Sequence, residues 1–230
     1  MKLSVFSLLA APLQLAIVNA AINIMPLGDS ITEITCWRPK LWSLLQQASY
    51  TAQIDFIGSV TTPSTQCPTH PPFDLHNEGH AGYQAINIAN QNQLVGWLQP
   101  TKPDIITMHL GTVDTVYRRS VPEIITAFDK LLSQMRTRNP EIYVLVAKII
   151  PLGAGFTDVR GLNGEIEKWA NRVTTKRSPM VLVDQWTGYV SDLDNYDGIH
   201  PGDSGDVKIA DKWFGPLVTA IEWVLAKQLV

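Results

Sequence analysis

Short apolar segments alternate with amphipathic segments along most of this chain. Continuous apolar, β-branched runs are typical of buried strands, whereas apolar residues three or four positions apart are typical of helices. This pattern predicts five strands, at 22–28, 53–59, 104–111, 142–150 and 180–186. It predicts helices at 39–49, 84–99, 122–139 and 164–177, and a last helix from Asp203 to Leu229 that is broken or kinked at Gly215–Pro216.

The order of these elements indicates the fold class. Strands that alternate with helices predict an α/β fold with a five-stranded parallel sheet covered on both faces. In such sheets the ligand site lies beyond the carboxyl ends of the strands, where the strand order reverses. We therefore expect the functional residues in the segments that directly follow strands.

The first twenty residues differ from the rest of the chain. Lys2 precedes the apolar run "LSVFSLLAAPLQLAIV", and the small-residue sequence "VNA" precedes Ala21. These features are typical of a secretory signal peptide and predict cleavage after Ala20. Residues 21–230 then have the size of a single domain. No other apolar run approaches the ~20 residues of a membrane span, so we expect an extracellular protein with no membrane partner.

Charge bears on nucleic-acid binding, and the cysteine content bears on a disulfide. The formal net charge is −3 and no basic run occurs, which argues against a nucleic-acid partner. Cys36 and Cys67 are the two cysteines, and an oxidising destination predicts a disulfide between them. Two buried free thiols are the alternative. The Pro- and Thr-rich segment 59–74 reads as a long surface loop that Cys67 would anchor, and a monomer is the default expectation.

Two strand ends carry residues suited to nucleophilic catalysis. Ser30 follows the first strand in "PLGDSITE", and Asp197 and His200 follow the last strand in "DNYDGIHPGD". Serine becomes a good nucleophile when a base takes its proton. His200 can be that base, and Asp197 can orient the imidazole and stabilise its charged form. Ser30 as a simple turn or helix-capping residue, and Asp194 in place of Asp197, are the alternatives.

Two further turns lie at the same predicted edge. In "NEGHAGYQA" the N–H of Gly82 precedes a helix and is suited to bind a developing oxyanion. In "MHLGTVDT" the side chain of Val113 reaches the edge of the cleft but has nothing to donate. We interpret His80 as a structural histidine and His109 as a buried, hydrogen-bonded core residue.

Four blocks together resemble one known group of enzymes. "GDS" at 28–30, "GHAG" at 79–82, "LGTVD" at 110–114 and "DGIHP" at 197–201 are similar, in that order, to the SGNH (GDS-motif) hydrolase superfamily. The fuller wording "MPLGDSITE … NEGHAGYQ … HLGTVD … DGIHPGDSG" resembles the family-three carbohydrate esterases, secreted enzymes that remove acetyl groups from xylan.

The resemblance implies a flavodoxin-like three-layer α/β/α fold. We expect neither an organic cofactor nor a metal. It implies Ser30 as nucleophile, His200 as base, Asp197 as its partner, and the N–H groups of Ser30 and Gly82 as oxyanion donors. The family has Gly-Thr-Asn-Asp in the third block, where the asparagine amide is a third donor. Val113 stands at that position here, which predicts a slow esterase.

Three functions follow from the sequence. The first is a secreted serine esterase that removes acetyl groups from plant polysaccharide such as acetylated xylan, through an acetyl-Ser30 intermediate. The second is a broad short-chain ester hydrolase or lipase, against which the lack of a Leu- and Phe-rich lid counts. The third is a weakened or inactive homologue that binds carbohydrate, which the complete Ser–His–Asp set argues against. We interpret Asp203 and Asp206 as acids at a helix start rather than calcium ligands.

Overall fold

The structure is a computed structural model that describes residues 21–61, 67 and 72–228. The predicted signal peptide and most of the predicted 59–74 loop lie outside these residues. One parallel sheet contains the strands β1 (Ile22–Gly28), β2 (Ile54–Phe56), β3 (Glu78–Gly79), β4 (Ile105–His109), β5 (Tyr143–Lys148) and β6 (Met180–Asp184).

The helices of the described residues lie between and after these strands. They are α1 (Ser30–Glu33), α2 (Trp37–Gln47), α3 (Ala85–Asn90), α4 (Gln93–Leu98), α5 (Thr112–Val116), α6 (Val121–Arg138), α7 (Arg160–Val173), α8 (Ser191–Asp194) and α9 (Asp203–Gln228). None of them is long and apolar enough to cross a membrane.

The strand order β2-β1-β4-β5-β6 confirms the predicted flavodoxin-like arrangement. β1 pairs with β2 on one edge and with β4 on the other, so the strand order reverses at β1. The short strand β3 extends the β2 side by pairing Glu78 with Leu27 and Gly79 with Gly28. The turns after β1, β3 and β4 therefore surround the switch point, which is where a ligand site is expected.

Two apolar layers hold the sheet between the helices. Residues of α3, α4, α6 and α7 pack on one face, and residues of α2 and α9 pack on the other. On the second face Trp37 of α2 and Trp213 of α9 have ring centroids 6.1 Å apart. This confirms the three-layer α/β/α architecture.

Three element predictions need correction. The helix predicted at 84–99 is two helices, because Asn92 has a left-handed backbone (φ 54°) that separates α3 from α4. The last helix was predicted to be broken or kinked at Gly215–Pro216; it is not broken, since α9 runs through Pro216. Trp213 and Leu217 on either side are fully buried, so tertiary packing outweighs the one backbone hydrogen bond that proline removes. The two-residue strand β3 was not predicted.

Candidate active site

The turn after β1 places Ser30 at the start of α1. Asp29 caps this helix, since its Oδ1 accepts the N–H of Ile31 at 3.0 Å. The Ser30 hydroxyl is consequently not needed for capping. A Cβ on Gly28 would lie 2.0 Å from the Thr32 Oγ1 and 2.9 Å from the His109 carbonyl oxygen. Only glycine fits there, so Gly28 sets how closely the serine turn lies against β4.

The hydroxyl of Ser30 meets His200 across the sheet edge. The distance from His200 Nε2 to Ser30 Oγ is 2.8 Å, and the distance from His200 Nδ1 to Asp197 Oδ2 is 2.7 Å. The other Asp197 oxygen, Oδ1, accepts the N–H groups of Ile199 at 2.9 Å and His200 at 2.7 Å. The structure thus brings together the three residues predicted from two distant parts of the sequence.

The charge of Asp197 is favoured by this bonding. Partial burial opposes ionisation, but the N–H and imidazole of His200 and the N–H of Ile199 outweigh it. Together they hold the pKa of Asp197 below its usual value. An ionised Asp197 that accepts from Nδ1 leaves the lone pair of Nε2 facing the Ser30 hydroxyl.

Asp194, the alternative carboxylate, has other partners. Its Oδ2 accepts from Lys208 Nζ at 2.6 Å and from the N–H of Val190 at 2.7 Å. Its Oδ1 accepts from Ser204 Oγ at 2.9 Å. Asp194 therefore ties α8 to α9 rather than orienting His200.

The turn at residues 80–83 lies next to the serine turn. His80 donates its N–H to the Gly28 carbonyl at 3.0 Å, and Tyr83 donates to the His80 carbonyl at 3.1 Å. The N–H of Ala81 donates to Glu33 Oε2 at 2.5 Å. Gly82 has a positive φ of 80°, and its N–H meets no acceptor in the part of the chain that the structure describes. Of four successive N–H groups, the turn leaves that of Gly82 available.

The turn after β4 is fixed to the same region. Val113 is the second residue of α5 and is 9% exposed. The neighbouring Asp114 is fully buried and accepts the N–H groups of Ala85 at 2.8 Å and Ile86 at 3.1 Å. These N–H groups begin α3, the helix that follows the Gly82 turn. Val113 and Gly82 are therefore on two segments that are bonded to each other.

Buried ionisable groups surround the switch point. Burial raises the pKa of Asp29 to about 7, helped by the nearby Asp114 carboxylate and opposed by the Ile31 N–H. Burial lowers the pKa of His109 to about 4. The expected burial of His109 is confirmed, but neither ring nitrogen has a hydrogen-bond partner among the described residues.

His80 lies beside the site without facing the triad. Its Nε2 is 2.6 Å from Oε1 of the fully buried Glu78, and its ring stacks on Trp97 at a centroid distance of 4.1 Å. The second Glu78 oxygen, Oε2, accepts the N–H of Ser59 at 2.9 Å. These contacts agree with the interpretation of His80 as structural.

Cys36 and Cys67 form a disulfide, with Cα atoms 5.3 Å apart. This confirms the predicted pairing and excludes the free-thiol alternative. Cys36 directly precedes α2, close in the chain to the Ser30 turn. The bridge thus anchors residue 67 beside the turn that carries the serine.

Three exposed aromatic side chains flank the triad. Tyr83 follows Gly82 and is 38% exposed, and Phe156 is 39% exposed. A Cβ on Gly198, in the loop that carries Asp197 and His200, would lie 3.1 Å from the Phe156 ring. Tyr196 is 52% exposed, and its ring stacks on that of His200 at a centroid distance of 5.8 Å. Phe156 and Tyr196 therefore lie beside the loop that carries Asp197 and His200, and Tyr83 lies in the turn that carries Gly82.

The sequence profile of the GDSL-like lipase/acylhydrolase family matches residues 27–207. The chain belongs to this family. It is 28% identical over 238 residues to a multidomain esterase of Ruminococcus flavefaciens; this match covers 93% of the chain and 30% of that protein. This GDSL-like chain thus spans about a third of the curated relative's length.

Solved structures agree with this assignment. A family 3 carbohydrate esterase from Talaromyces cellulolyticus is 39% identical with a TM-score of 0.83, covering 87% of this chain and 98% of that one. An acetyl esterase, crystallised as a serine-to-alanine variant with acetate ion, is 38% identical with a TM-score of 0.84, covering 88% and 99%. A family 3 carbohydrate esterase from Clostridium thermocellum is 26% identical with a TM-score of 0.76, covering 89% and 99%. This GDSL-like chain thus shares its fold, over nearly its whole described length, with carbohydrate esterases.

Proposed function

We propose that this chain is a secreted serine esterase that removes acetyl groups from plant cell-wall polysaccharide such as acetylated xylan. The observation that carries the proposal is the hydrogen-bonded chain Ser30–His200–Asp197, with distances of 2.8 Å and 2.7 Å. A serine, a neutral imidazole and a carboxylate in this order form the arrangement that acyl transfer requires.

The reaction divides into two acyl transfers. The Ser30 Oγ attacks the acetyl carbonyl carbon while His200 Nε2 takes the hydroxyl proton. The tetrahedral intermediate then expels the sugar oxygen, which receives that proton from His200, and acetyl-Ser30 remains. A water molecule, deprotonated by His200, attacks this ester; acetate leaves, and the proton returns to Ser30. Asp197 stabilises the charged imidazole in both steps.

Two backbone donors serve the oxyanion in this proposal. The N–H of Ser30 is at the first position of α1, where helix N–H groups lack intrahelical acceptors. The N–H of Gly82 is the one that its turn leaves available. Val113 supplies no side-chain donor, so we propose that the oxyanion has two protein donors and that turnover is slow.

The descriptions of the relatives and two exposed aromatic side chains support an acetylated sugar substrate. One relative is described as an acetyl esterase and two as family 3 carbohydrate esterases. Phe156 and Tyr196, beside the loop that carries Asp197 and His200, have exposed aromatic rings. The apolar faces of sugar rings can pack on such rings. The disulfide suits an oxidising, extracellular location. We propose that residues 21–230 act as a monomer without a cofactor.

Acetate release from acetylated xylan tests the proposal. The purified protein should release acetate from the polymer and hydrolyse p-nitrophenyl acetate, whereas Ser30→Ala should do neither. Activity on the small ester alone, with none on the polymer, would favour the broad short-chain esterase. Polymer binding by wild type without turnover of either substrate would favour the inactive homologue.

A further inference from the structure

Glu33 is the last residue of α1, three positions after Ser30, and its side chain reaches the neighbouring turn. Its Oε2 accepts the N–H of Ala81 at 2.5 Å. It makes no ion pair among the described side chains, so this backbone N–H is the partner that its carboxylate has there. A half-buried carboxylate that accepts one N–H from another segment fixes the distance between the two segments.

The turn that Glu33 holds has little packing of its own. Ala81, Gly82 and Tyr83 are exposed, and a Cβ on Gly82 would meet nothing within 4 Å. Two other bonds fix its ends, from His80 to the Gly28 carbonyl and from Tyr83 to the His80 carbonyl. The bond to Glu33 is therefore the remaining constraint on the centre of the turn.

Fixing Ala81 also fixes the direction of the next N–H. The peptide plane that carries the Ala81 N–H is held by Glu33, and only the φ and ψ of Ala81 separate it from the plane that carries the Gly82 N–H. We infer that Glu33 is a positioning residue that aims the Gly82 N–H at the oxyanion formed on the substrate of Ser30. This inference rests on the proposed esterase reaction.

Glu33 is itself held firmly at the backbone. Its N–H donates to the Asp29 carbonyl at 3.0 Å, and its carbonyl accepts from Arg38 Nη2 at 3.1 Å. Arg38 is buried and also bonds the carbonyls of Thr32 and Leu75. The short helix that carries the nucleophile and the residue that aims the oxyanion donor are thus one rigid unit.

Two conservative variants distinguish the length of the Glu33 side chain from its negative charge. Glu33→Gln keeps the length and an oxygen that accepts the Ala81 N–H, and loses the charge. Glu33→Asp keeps the charge but is shorter by one methylene, about 1.5 Å, and cannot reach Ala81 from the same backbone. On p-nitrophenyl acetate we expect Glu33→Gln to retain kcat within about 3-fold. Glu33→Asp and Glu33→Ala should lower kcat about 10- to 100-fold with little change in KM, because the oxyanion forms only after binding.

A matched control is available on α6. Glu123 also accepts a backbone N–H, that of Ser120 at 3.1 Å, in the capping box of that helix. Glu123→Ala should lower the melting temperature and leave kcat unchanged. Wild-type kcat in a folded Glu33→Asp, or equal losses in Glu33→Gln and Glu33→Asp, would overturn the positioning role.

Amide hydrogen exchange tests the contact without relying on activity. The Ala81 N–H should exchange at least 10-fold faster in Glu33→Asp than in wild type, and at a near wild-type rate in Glu33→Gln. Equal exchange in all three proteins would overturn the inference even if the esterase reaction is confirmed. A wild type that lacks activity sensitive to Ser30→Ala would instead contradict the proposed function, while the exchange result would still decide the contact.

Discussion

Asp114 and Ala85 are 29 positions apart, and Oδ2 of Asp114 accepts the Ala85 N–H at 2.8 Å. The carboxylate of α5 thus caps α3, a helix whose own preceding residue, Gln84, makes no side-chain cap. This contact connects the two turns that approach the nucleophile from β3 and β4. It gives the last residue of the "GTVD" block a structural task that the sequence motif does not reveal.

Removing this cap should destabilise the fold. Asp114→Ala leaves the N–H groups of Ala85 and Ile86 without their acceptor, and loss of a helix cap costs about 1–2 kcal/mol. Asp114→Asn retains one acceptor oxygen and should lose less. Urea unfolding of both variants measures the difference in the free energy of unfolding. The exposed Asp192 of α8 provides the control, and a cost for Asp192→Ala equal to that of Asp114→Ala would contradict a specific cap.

Asp197→Asn should lower kcat by up to about 10⁴-fold, because asparagine cannot stabilise the charged imidazole and favours the wrong tautomer. Asp194→Asn, which alters a carboxylate that does not contact His200, should lower kcat far less.

The pH profile of wild type tests the base. In wild type the pKa of Asp197 is below its usual value, so Asp197 stays ionised from pH 5 to 8. A base must be unprotonated to take the Ser30 proton, so kcat/KM should fall on acidification, and Asp197 is not the source of that fall. A flat profile with chemistry rate-limiting would contradict His200 as the base.

Val113→Asn tests the missing third donor. Loss of one oxyanion donor in a well-studied protease costs about 10²–10³-fold in kcat. The asparagine should therefore raise kcat with little change in KM. The rise in kcat should be smaller than this factor if the site has repacked around valine. Steady-state kinetics of both proteins on one acetyl ester, with a thermal melt of each, measure the effect. Val113→Leu, which has nearly the shape of asparagine but no hydrogen-bond donor, is the control. An unchanged kcat in a folded Val113→Asn would place Val113 away from the oxyanion.

The disulfide should stabilise the folded protein by about 3–4 kcal/mol in the chain-entropy model, given the separation of 31 residues between the cysteines. The double variant Cys36→Ala/Cys67→Ala, which leaves no unpaired thiol, should lower the free energy of unfolding by about the same amount. Two reactive thiols in denatured, unreduced wild type would contradict the bridge.

The buried Asp206 should make stability depend on pH. Burial raises its pKa to about 7, opposed by the nearby N–H groups of Cys36 and Trp37. A folded-state pKa above the unfolded value gives a contribution to stability that is present below pH ~4 and is lost as pH rises through about 7. Asp206→Asn, which cannot ionise, should therefore gain more stability over wild type at pH 8 than at pH 4. An equal gain at both pH values would contradict the ionisation of Asp206 as the cause.

The sequence was sufficient for the features that depend on local pattern. The fold class, the strand β1 and the convergence of Ser30 with His200 follow from apolar runs and from the rule that parallel strands end at one edge. The two-residue strand β3 has no periodicity of its own, because its formation depends on the neighbouring strand β1. The unbroken helix at Pro216 likewise depends on tertiary packing, which the local proline signal cannot show.

The contacts of Glu33 and Asp114 were beyond sequence reasoning for a similar reason. Both are carboxylates in ordinary-looking positions, and both bond backbone N–H groups of distant segments. The one sequence signal for a role of Glu33 was its position three residues after Ser30 in the motif. Their roles emerge once the turns after β1, β3 and β4 are placed side by side.

An isolated antiparallel bridge pairs Val60, which follows β2, with Asn77, which precedes β3. The two residues exchange backbone hydrogen bonds of 3.0 Å in both directions, directly before β3 delivers the Gly82 turn to β1. Two backbone pairings therefore hold this part of the chain in register: that of β3 with Leu27 and Gly28 of β1, and that of Asn77 with Val60. A slip of register at either pairing would move the Gly82 turn relative to Ser30, so the bridge sets the alignment of the two turns.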